Sequence, residues 1–261
     1  MAHKYEDNLQ KDRFIELLSV DSTNNYALSL LRSQKLTERQ THGLCVFAHE
    51  QLQGKGQRGK KWSSAAKQNI QMSVVIAPRP LQIHNQFAFT AIAALAVRRF
   101  LEKITVQNFV VKWPNDIYFQ DRKAGGILIE NIIAGNKWEY AVVGMGLNIN
   151  QTVFDPALPN PTSLKQITGI DYDCVALAKS LQQGLLQEFE RWTSGVDKNP
   201  DIEGLLSEYN RYLYKRNETV RLKKDSRVFE TTIKGVTENG QLTVHHGLEE
   251  QFNFGELVWL I

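Results

Sequence analysis

The chain has 261 residues, which suits one large domain or one medium-sized domain with a small appendage. With 42% hydrophobic and 23% charged residues, its composition is ordinary for a soluble globular protein. The formal net charge of +3 is too small to imply a nucleic-acid partner by itself.

The cysteines and the apolar runs bear on the cellular compartment. Cys45 and Cys174 each lie inside an apolar run, and they form neither a CxxC pair nor a metal-binding spacing. We therefore expect core thiols in a reducing compartment. We find no signal peptide, and no apolar run approaches the roughly 20 residues needed to span a membrane. These features predict a cytoplasmic protein without a membrane partner.

Apolar periodicity predicts a mixed α+β region over most of the chain. Strands are predicted at residues 14–20, 44–48, 69–77, 109–113, 117–119, 124–133 and 139–143. Helices are predicted from the capping turn at 21–24 to residue 31, and over 85–104, 173–192 and about 202–214. The segment 85–104 is apolar nearly all round, so we expect it to be a buried central helix.

The pattern of predicted elements changes after Asn217 from mixed helices and strands to strands alone. Five short strand-like segments follow, and turn signals at 224–226, 239–240 and 246–247 separate most of them. Five strands at such spacing predict a small β-barrel. We therefore predict an α+β domain over residues 1–214, followed by a β-barrel domain over residues 215–261.

A glycine-rich basic loop follows the second predicted strand. Its segment Gly54–Gly59 matches G-x-G-x-x-G, but no helical pattern opens there and no acidic residue occurs between this segment and Glu102. A dinucleotide-binding fingerprint needs both features, so that interpretation is disfavoured. The glycines allow close approach of a ligand, and the lysines and arginine of the loop supply cationic donors for a phosphate or carboxylate. A solvated basic surface loop remains the alternative.

Three further segments concentrate chemically useful residues. Lys112–Asp116 packs a cation, an aromatic ring, a rigid turn, an amide and a carboxylate together, although an ordinary turn has the same appearance. Lys123 precedes Gly125-Gly126 and can reach a site over bare backbone, unless it faces solvent on a hairpin strand. Gly144 and Gly146 alternate with apolar residues, which permits close approach of a neighbouring backbone or a ligand, or marks a β-bulge.

Taken together, the motifs resemble those of the biotin–protein ligases. The resemblance covers nearly the whole chain and is carried by residues 21–24, Gln51 with the loop 54–62, the KWPND run at 112–116, Lys123 with the glycine pair 125–126, and residues 144–148. It implies a class II aminoacyl-tRNA synthetase-like catalytic core that binds biotin and ATP, followed by a C-terminal SH3-like barrel. These implied domains agree with the boundary drawn at residue 214.

The resemblance also implies individual roles. Lys123 is implied as the catalytic residue, which would bind both the biotin carboxylate and the attacked phosphate. Biotin-binding positions are implied at Ser22, Thr23, Asn24, Gln51, Lys55, Gly56, Gln57, Lys123 and Gly125. ATP or phosphate contacts are implied at Arg58, Lys60, Lys112, Asn115, Asp116 and Asn148, with Asn115 and Asp116 also near Mg²⁺.

The implied activity is ATP-dependent formation of biotinyl-5′-AMP, followed by transfer of biotin to a lysine of a biotin carboxyl carrier protein such as that of acetyl-CoA carboxylase. Lys55, Gln57 and Lys60 occupy positions that are often arginine in this family, which bears on how tightly the adenylate is retained. Only about a dozen residues precede Phe14, so we expect no helix-turn-helix domain and no DNA partner. A lipoate–protein ligase and a biotin-dependent regulator are the alternatives, and a homodimer is left open.

Overall fold

The computed structural model describes residues 13–33, 37–194 and 199–260. The described residues of Met1–Arg79 and Arg122–Gln187 form one compact unit, and those of Pro80–Asp121 and Glu188–Ile261 form a second one. The predicted domain boundary at residue 214 stays a prediction. The expected lack of a helix-turn-helix domain depends on residues 1–12, which lie outside the described residues.

Twelve strands and six helices are formed by the described residues. The strands are β1 Phe14–Leu17, β2 Cys45–Ala48, β3 Ile70–Ile76, β4 Phe109–Lys112, β5 Asp116–Phe119, β6 Arg122–Ala134, β7 Lys137–Leu147, β8 Thr219–Lys224, β9 Arg227–Val236, β10 Leu242–His245, β11 Glu249–Phe252 and β12 Val258–Trp259. The helices are α1 Thr23–Arg32, α2 Glu38–Thr41, α3 Gln86–Thr105, α4 Leu164–Thr168, α5 Cys174–Thr193 and α6 Ile202–Arg211.

The first unit is built on a sheet with the strand order β1-β2-β3-β7-β6. β1 runs parallel to β2, and the other neighbours are antiparallel. Helix α1 packs on this sheet through Ala27, which is fully buried among apolar side chains from β1, β2, β3 and β7. This burial anchors the N-terminal end of α1, which carries the predicted biotin-binding residues, against the sheet.

The long hairpin of β6 and β7 resolves one open interpretation. β7 continues through Gly144 and Gly146 without interruption, and the register shift of the hairpin lies between Ile132 and Ile133. The β-bulge interpretation of the glycine-rich segment was therefore wrong. The glycines are regular strand residues whose missing side chains leave room on one face of the sheet.

The second unit contains helix α3, which is buried, as predicted from a segment that is apolar nearly all round. Its one buried charge is Arg98, which is 2% exposed. The Arg98 guanidinium donates to the Phe109 carbonyl at 2.9 Å, lies 2.9 Å from a Glu102 carboxylate oxygen and stacks over the Tyr212 ring. These contacts offset the cost of burying a charge.

The five predicted C-terminal strands are all present in this unit. They form an antiparallel sheet with the order β11-β10-β9-β8-β12. The preceding helix α6 ends at Arg211, three residues before its predicted end. It ends there because Tyr214 donates its backbone N–H to Val111 and so continues the pairing of β4.

Within the described residues, we find no helix that is long and apolar enough to cross a membrane.

Candidate active site

One face of the first unit's sheet is polar and nearly free of side chains at its centre. Gln71 and Ser73 of β3 lie opposite Gly146 and Gly144 of β7 in the strand register. Directly opposed residues share a face of a sheet, so these four positions form one patch. Gln71 is 1% exposed and Ser73 is fully buried.

The two glycines make room for two particular neighbours. A Cβ atom at Gly144 would collide with the side-chain amide of Asn24, and one at Gly146 would collide with the indole of Trp62. The absence of side chains on β7 therefore allows the start of α1 and the end of the basic loop to lie directly on the sheet.

Hydrogen bonds among neutral side chains hold the start of α1 on this face. Ser73 Oγ lies 2.6 Å from Asn24 Oδ1 and 2.7 Å from Thr23 Oγ1. Because the amide oxygen of Asn24 only accepts, the Ser73 hydroxyl donates to it. Thr23 also contacts Gln51, whose Oε1 accepts from the Thr23 backbone N–H at 2.8 Å. Ser22 occupies the N-cap position of α1 and is buried, but its side chain makes no capping hydrogen bond.

The basic loop is a small hairpin. The Gly56 N–H donates to the Lys60 carbonyl and the Trp62 N–H to the Gly54 carbonyl, while residues 57–59 form a 3₁₀ turn at the tip. Arg58 at the tip adopts a left-handed conformation with φ of 55°. No α-helix opens at this loop in the described chain, as expected when the dinucleotide-binding interpretation was disfavoured.

Lys55 of this hairpin forms an ion pair with the sheet. Its ammonium lies 3.6 Å from Glu130 Oε1 of β6. The other oxygen of Glu130 accepts a hydrogen bond of 2.7 Å from Asn24 Nδ2. Arg58 and Lys60 are exposed, whereas Gln57 is half-buried. The basic hairpin thus presents several cationic side chains, and the ion pair of Lys55 with Glu130 joins it to β6.

Lys123 is placed near the hairpin by its backbone. Its N–H donates to the Asn160 carbonyl at 2.7 Å, and its carbonyl accepts from the Thr162 N–H at 2.9 Å. Asn148, which is buried, donates its side-chain amide to the Thr162 carbonyl at 3.0 Å. The Lys123 ammonium lies 5.9 Å from the centre of the Trp62 ring. Trp62 therefore packs on the glycine patch and also lies close to this ammonium.

Gly125 lies in the hairpin of β6 and β7, where it is paired with Leu147, the residue after Gly146. A Cβ atom there would collide with the Leu147 side chain and crowd the Gly146 carbonyl. The structure therefore gives Gly125 a packing role of its own. Several of the predicted site residues of the first unit lie near one another: Thr23, Asn24 and Gln51 at the polar patch. Lys55, Gly56 and Gln57 lie on the hairpin that ends at Trp62, and the Lys123 ammonium lies close to the Trp62 ring.

The KWPND run belongs to the second unit and connects β4 to β5. Lys112 and Asp116 are a cross-strand pair, and Asn115 between them is buried. The Lys112 ammonium lies 3.2 Å from the Tyr118 hydroxyl. Burial, and then the Asp116 carboxylate, raises the pKa of Tyr118 above its usual range. The predicted turn between two strands is confirmed, and Asp116 is close enough to influence a buried phenol.

The turn itself is held from the same unit. The Trp113 indole donates to the Gly240 carbonyl at 2.9 Å, and the Tyr209 hydroxyl donates to the Pro114 carbonyl at 2.9 Å. Both contacts fix the backbone that carries Asn115 and Asp116. Among the described residues, no group of three or more histidine, cysteine, aspartate or glutamate side chains could hold a metal by itself.

Sequence reasoning missed three polar residues on this face. Gln71 and Ser73 fall in the predicted strand 69–77 and Glu130 in the predicted strand 124–133, and none of them was given a role in the site. The signal was present, since polar residues at alternate positions of an otherwise apolar strand point to one face. What the sequence did not reveal was that this face receives α1 and not solvent.

The segment that carries this site is similar to a known protein family. Residues 17–148, just over half of the chain, match the model of the biotin/lipoate A/B protein ligase family. The chain belongs to this family. The matched segment contains every site residue of the biotin/lipoate ligase motifs discussed above, from Ser22 to Asn148.

Several curated proteins are similar to this family member. The chain is 26% identical to the biotin–protein ligase of Homo sapiens, over 92% of this chain and 34% of that protein. It is 29% identical to the bifunctional ligase/repressor BirA of Escherichia coli, over 66% of this chain and 56% of that protein. It is 29% identical to the biotin–[acetyl-CoA-carboxylase] ligase of Paracoccus denitrificans, over 69% and 73%. The chain thus spans between a third and three fifths of the first two relatives.

Solved structures establish the fold. The biotin protein ligase of Aquifex aeolicus in complex with biotin and ATP matches with a TM-score of 0.75 and 24% identity, over 94% of this chain and 97% of that one. The Leishmania major enzyme in complex with biotinyl-5-AMP matches with a TM-score of 0.62 and 22% identity, over 92% and 98%. The predicted α+β class, with a class II aminoacyl-tRNA synthetase-like core and a C-terminal antiparallel sheet, is confirmed.

Proposed function

We propose that this member of the biotin/lipoate ligase family is a biotin–protein ligase, which activates biotin with ATP and transfers it to a lysine of a carrier protein. The observation that carries the proposal is the patch of neutral amides and hydroxyls formed by Thr23, Asn24, Gln51 and Ser73. The ureido head of biotin supplies matching donors and acceptors. The dithiolane of lipoate has no strong hydrogen-bonding group that could pair with these amides and hydroxyls.

The proposed roles follow the distribution of charge around the site. Biotin-binding roles are assigned to Ser22, Thr23, Asn24, Gln51, Lys55, Gly56, Gln57, Lys123 and Gly125. The neutral patch would hold the ring system, and Lys123 and Lys55 would face the carboxylate. Nucleotide contacts are assigned to Arg58, Lys60, Lys112, Asn115, Asp116 and Asn148. For Asn148 the structure supports a positioning role, because its amide fixes the segment that carries Lys123.

The chemistry requires positive charge between two anions. An oxygen of the biotin carboxylate attacks the α-phosphorus of ATP, and the bond to pyrophosphate breaks, which gives biotinyl-5′-AMP. The ammonium of Lys123 would offset the negative charge that the carboxylate and α-phosphate bring together. The neutral amine of a carrier lysine then attacks the acyl carbon, AMP leaves, and the amine loses a proton.

Mg²⁺ is part of the proposal as a companion of the nucleotide. It prefers oxygen ligands, keeps several waters and is often bound by one or two side chains together with substrate phosphates. The amide of Asn115 and the carboxylate of Asp116 fit that donor set, and when bound the ion would neutralise phosphate charge.

The test measures both half-reactions. Pyrophosphate release is followed with ATP and either biotin or lipoate, and biotinylation of a biotin carboxyl carrier domain is followed by mass spectrometry. We expect release with biotin only, and a modified carrier lysine. Release with lipoate but not with biotin would show that the lipoate alternative is correct.

Three further expectations belong to the proposal: a biotin carboxyl carrier protein as partner, a cytoplasmic location and no sequence-specific DNA binding. A gel shift with operator-like duplexes in the presence of biotin and ATP tests the last one against the alternative of a biotin-dependent regulator. Light scattering with and without ligands determines whether the protein is a homodimer.

A further inference from the structure

Gln71 carries a buried donor that the site as described does not use. The residue is 1% exposed near the start of β3. Its Nε2 has no hydrogen-bond partner in the part of the chain that the structure describes. Buried polar atoms are nearly always hydrogen-bonded, and an unpaired one in a native protein calls for a functional reason.

The orientation of the Gln71 amide is fixed by its neighbours. Gln51 Oε1 accepts from the backbone N–H of Thr23 at 2.8 Å, which settles which end of the Gln51 amide is oxygen. Gln51 Nε2 therefore faces Gln71 and donates to its Oε1 at 3.2 Å. Since the Gln71 oxygen is engaged in this way, its NH₂ group is the end left for another partner.

The position of this donor indicates the kind of partner. Gln71 lies opposite Gly146, the residue that is covered by the Trp62 indole. The indole Nε1 is a second buried donor without a partner among the described residues. The chain of hydrogen bonds from Thr23 through Gln51 to Gln71 contains no charged group. A neutral acceptor such as a carbonyl oxygen suits its end, because an anion is served better by the nearby lysines.

We infer that Gln71 is a further substrate-binding residue, whose side-chain NH₂ donates a hydrogen bond to the ureido oxygen of biotin and so helps to select substrates with that acceptor. This inference rests on the proposed function. In the bound state each amide in the chain has its oxygen and nitrogen engaged, and the bonds polarise one another in one direction, away from the N-terminus of α1.

The test compares Gln71→Met, which removes the donor at similar length, with the wild-type protein by calorimetry on three probes. Biotin carries both the ureido oxygen and the ring sulfur, desthiobiotin lacks the ring sulfur, and 2-thiobiotin replaces the ureido oxygen by a weaker acceptor. We expect Gln71→Met to weaken biotin and desthiobiotin about tenfold each, and 2-thiobiotin clearly less. If Gln71→Met does not fold, Gln71→Glu keeps an acceptor for Gln51 without the donor and should give the same order of losses.

The matched control is Gln182→Met. Gln182 is a buried amide of the same unit that donates to the Gly43 carbonyl at 2.7 Å. Its loss should lower the melting temperature and leave all three affinities unchanged.

The outcomes separate the inference from the proposed function. If the wild-type protein binds biotin and Gln71→Met binds it equally well, the inference is wrong and the proposed function stands. Equal losses on all three probes would show a structural role for Gln71, and a loss spared only with desthiobiotin would assign the donor to the ring sulfur; both overturn the inference. A wild-type protein that binds none of the probes overturns the proposed function and the inference with it.

Discussion

The side-chain amide of Asn24 donates a hydrogen bond of 2.7 Å to Glu130, 106 residues further along the chain. The same carboxylate lies 3.6 Å from the ammonium of Lys55. One carboxylate therefore fastens both the start of α1 and the basic hairpin to β6. An arriving biotin carboxylate or phosphate would compete with Glu130 for Lys55, so the hairpin is expected to change its contacts on binding.

The first prediction concerns the amides of residues 54–62. Biotin and ATP together should slow hydrogen exchange there, because anions relieve the repulsion among the clustered cations. Glu130→Gln keeps an acceptor for Asn24 but loses the ion pair, so exchange without ligand should become faster. The pair is partly exposed, so stability should change by less than about 1 kcal/mol. The control is Glu139→Gln, which loses an exposed ion pair with Lys137 in the hairpin of β6 and β7. Identical exchange with and without ligands would contradict this prediction.

A second prediction tests the glycine patch. Gly144→Ala and Gly146→Ala should each lower the free energy of unfolding by about 1–3 kcal/mol, because Asn24 and Trp62 must move from their hydrogen bonds and packing. Urea unfolding measures this loss, and biotin affinity should fall with it. Gly184→Ala is the control: Gly184 lies inside α5 with no atom near an added Cβ. It should raise stability by about 0.5–1 kcal/mol. Destabilisation by all three variants would count against a specific role for the patch.

The third prediction separates the two half-reactions at Lys123. Lys123→Gln should reduce pyrophosphate release by roughly 10²–10³, the usual cost of removing one preorganised donor. Transfer from supplied biotinyl-adenylate to a carrier should fall much less, because the repulsion that Lys123 offsets is then already past. Lys165→Gln, at a lysine that pairs with Asp171 at 2.7 Å, controls for loss of a charge in the same unit. Normal adenylation in Lys123→Gln would refute the assignment, and equal losses in both steps would mean that Lys123 holds the adenylate throughout.

The fourth prediction concerns retention of the adenylate. Gln57 begins the 3₁₀ turn of the hairpin, and Gln57→Arg adds a charged, forked donor there. Release of labelled biotinyl-adenylate should slow several-fold in a filter-binding chase. Gln53→Arg adds the same charge at an exposed position just before the hairpin and should leave the release rate unchanged. An unchanged or faster rate in Gln57→Arg would show that residue 57 does not face the phosphate.

The fifth prediction concerns pH and stability. Burial, and then the nearby Arg13, lowers the pKa of His42 below its usual value. Below a pH of about 6.5 the unfolded chain gains a proton at this position that the folded protein resists, so stability should fall as the pH falls from there. The Ala77 N–H donates a hydrogen bond of 3.1 Å to His42 Nδ1. His42→Gln keeps an acceptor for this N–H and should flatten the dependence of stability on pH. Urea midpoints at pH 7.5 and pH 5.5 measure it; an equal slope in both proteins would contradict the prediction.

The sequence by itself determined the fold class, the run of five C-terminal strands and most of the residues now proposed for the site. These follow from local patterns. Apolar periodicity predicted the buried α3, and the KWPND run and Lys123 before its glycines are contiguous motifs that need no knowledge of pairing. Where a local pattern was ambiguous, as at Gly144 and Gly146, the sequence left a bulge and a ligand approach equally open.

Only the tertiary structure decided which side chains meet. The register of β3 with β7 places Gln71 and Ser73 beside Gly146 and Gly144, and a shift of one residue would have turned them to the opposite face. The contact of Asn24 with Glu130 likewise depends on the packing of α1 against a strand far along the chain. A hydrogen bond between distant residues leaves no periodic trace in the sequence, so the amide chain that ends at Gln71 becomes visible only when α1, β3 and the loop after β2 are in place.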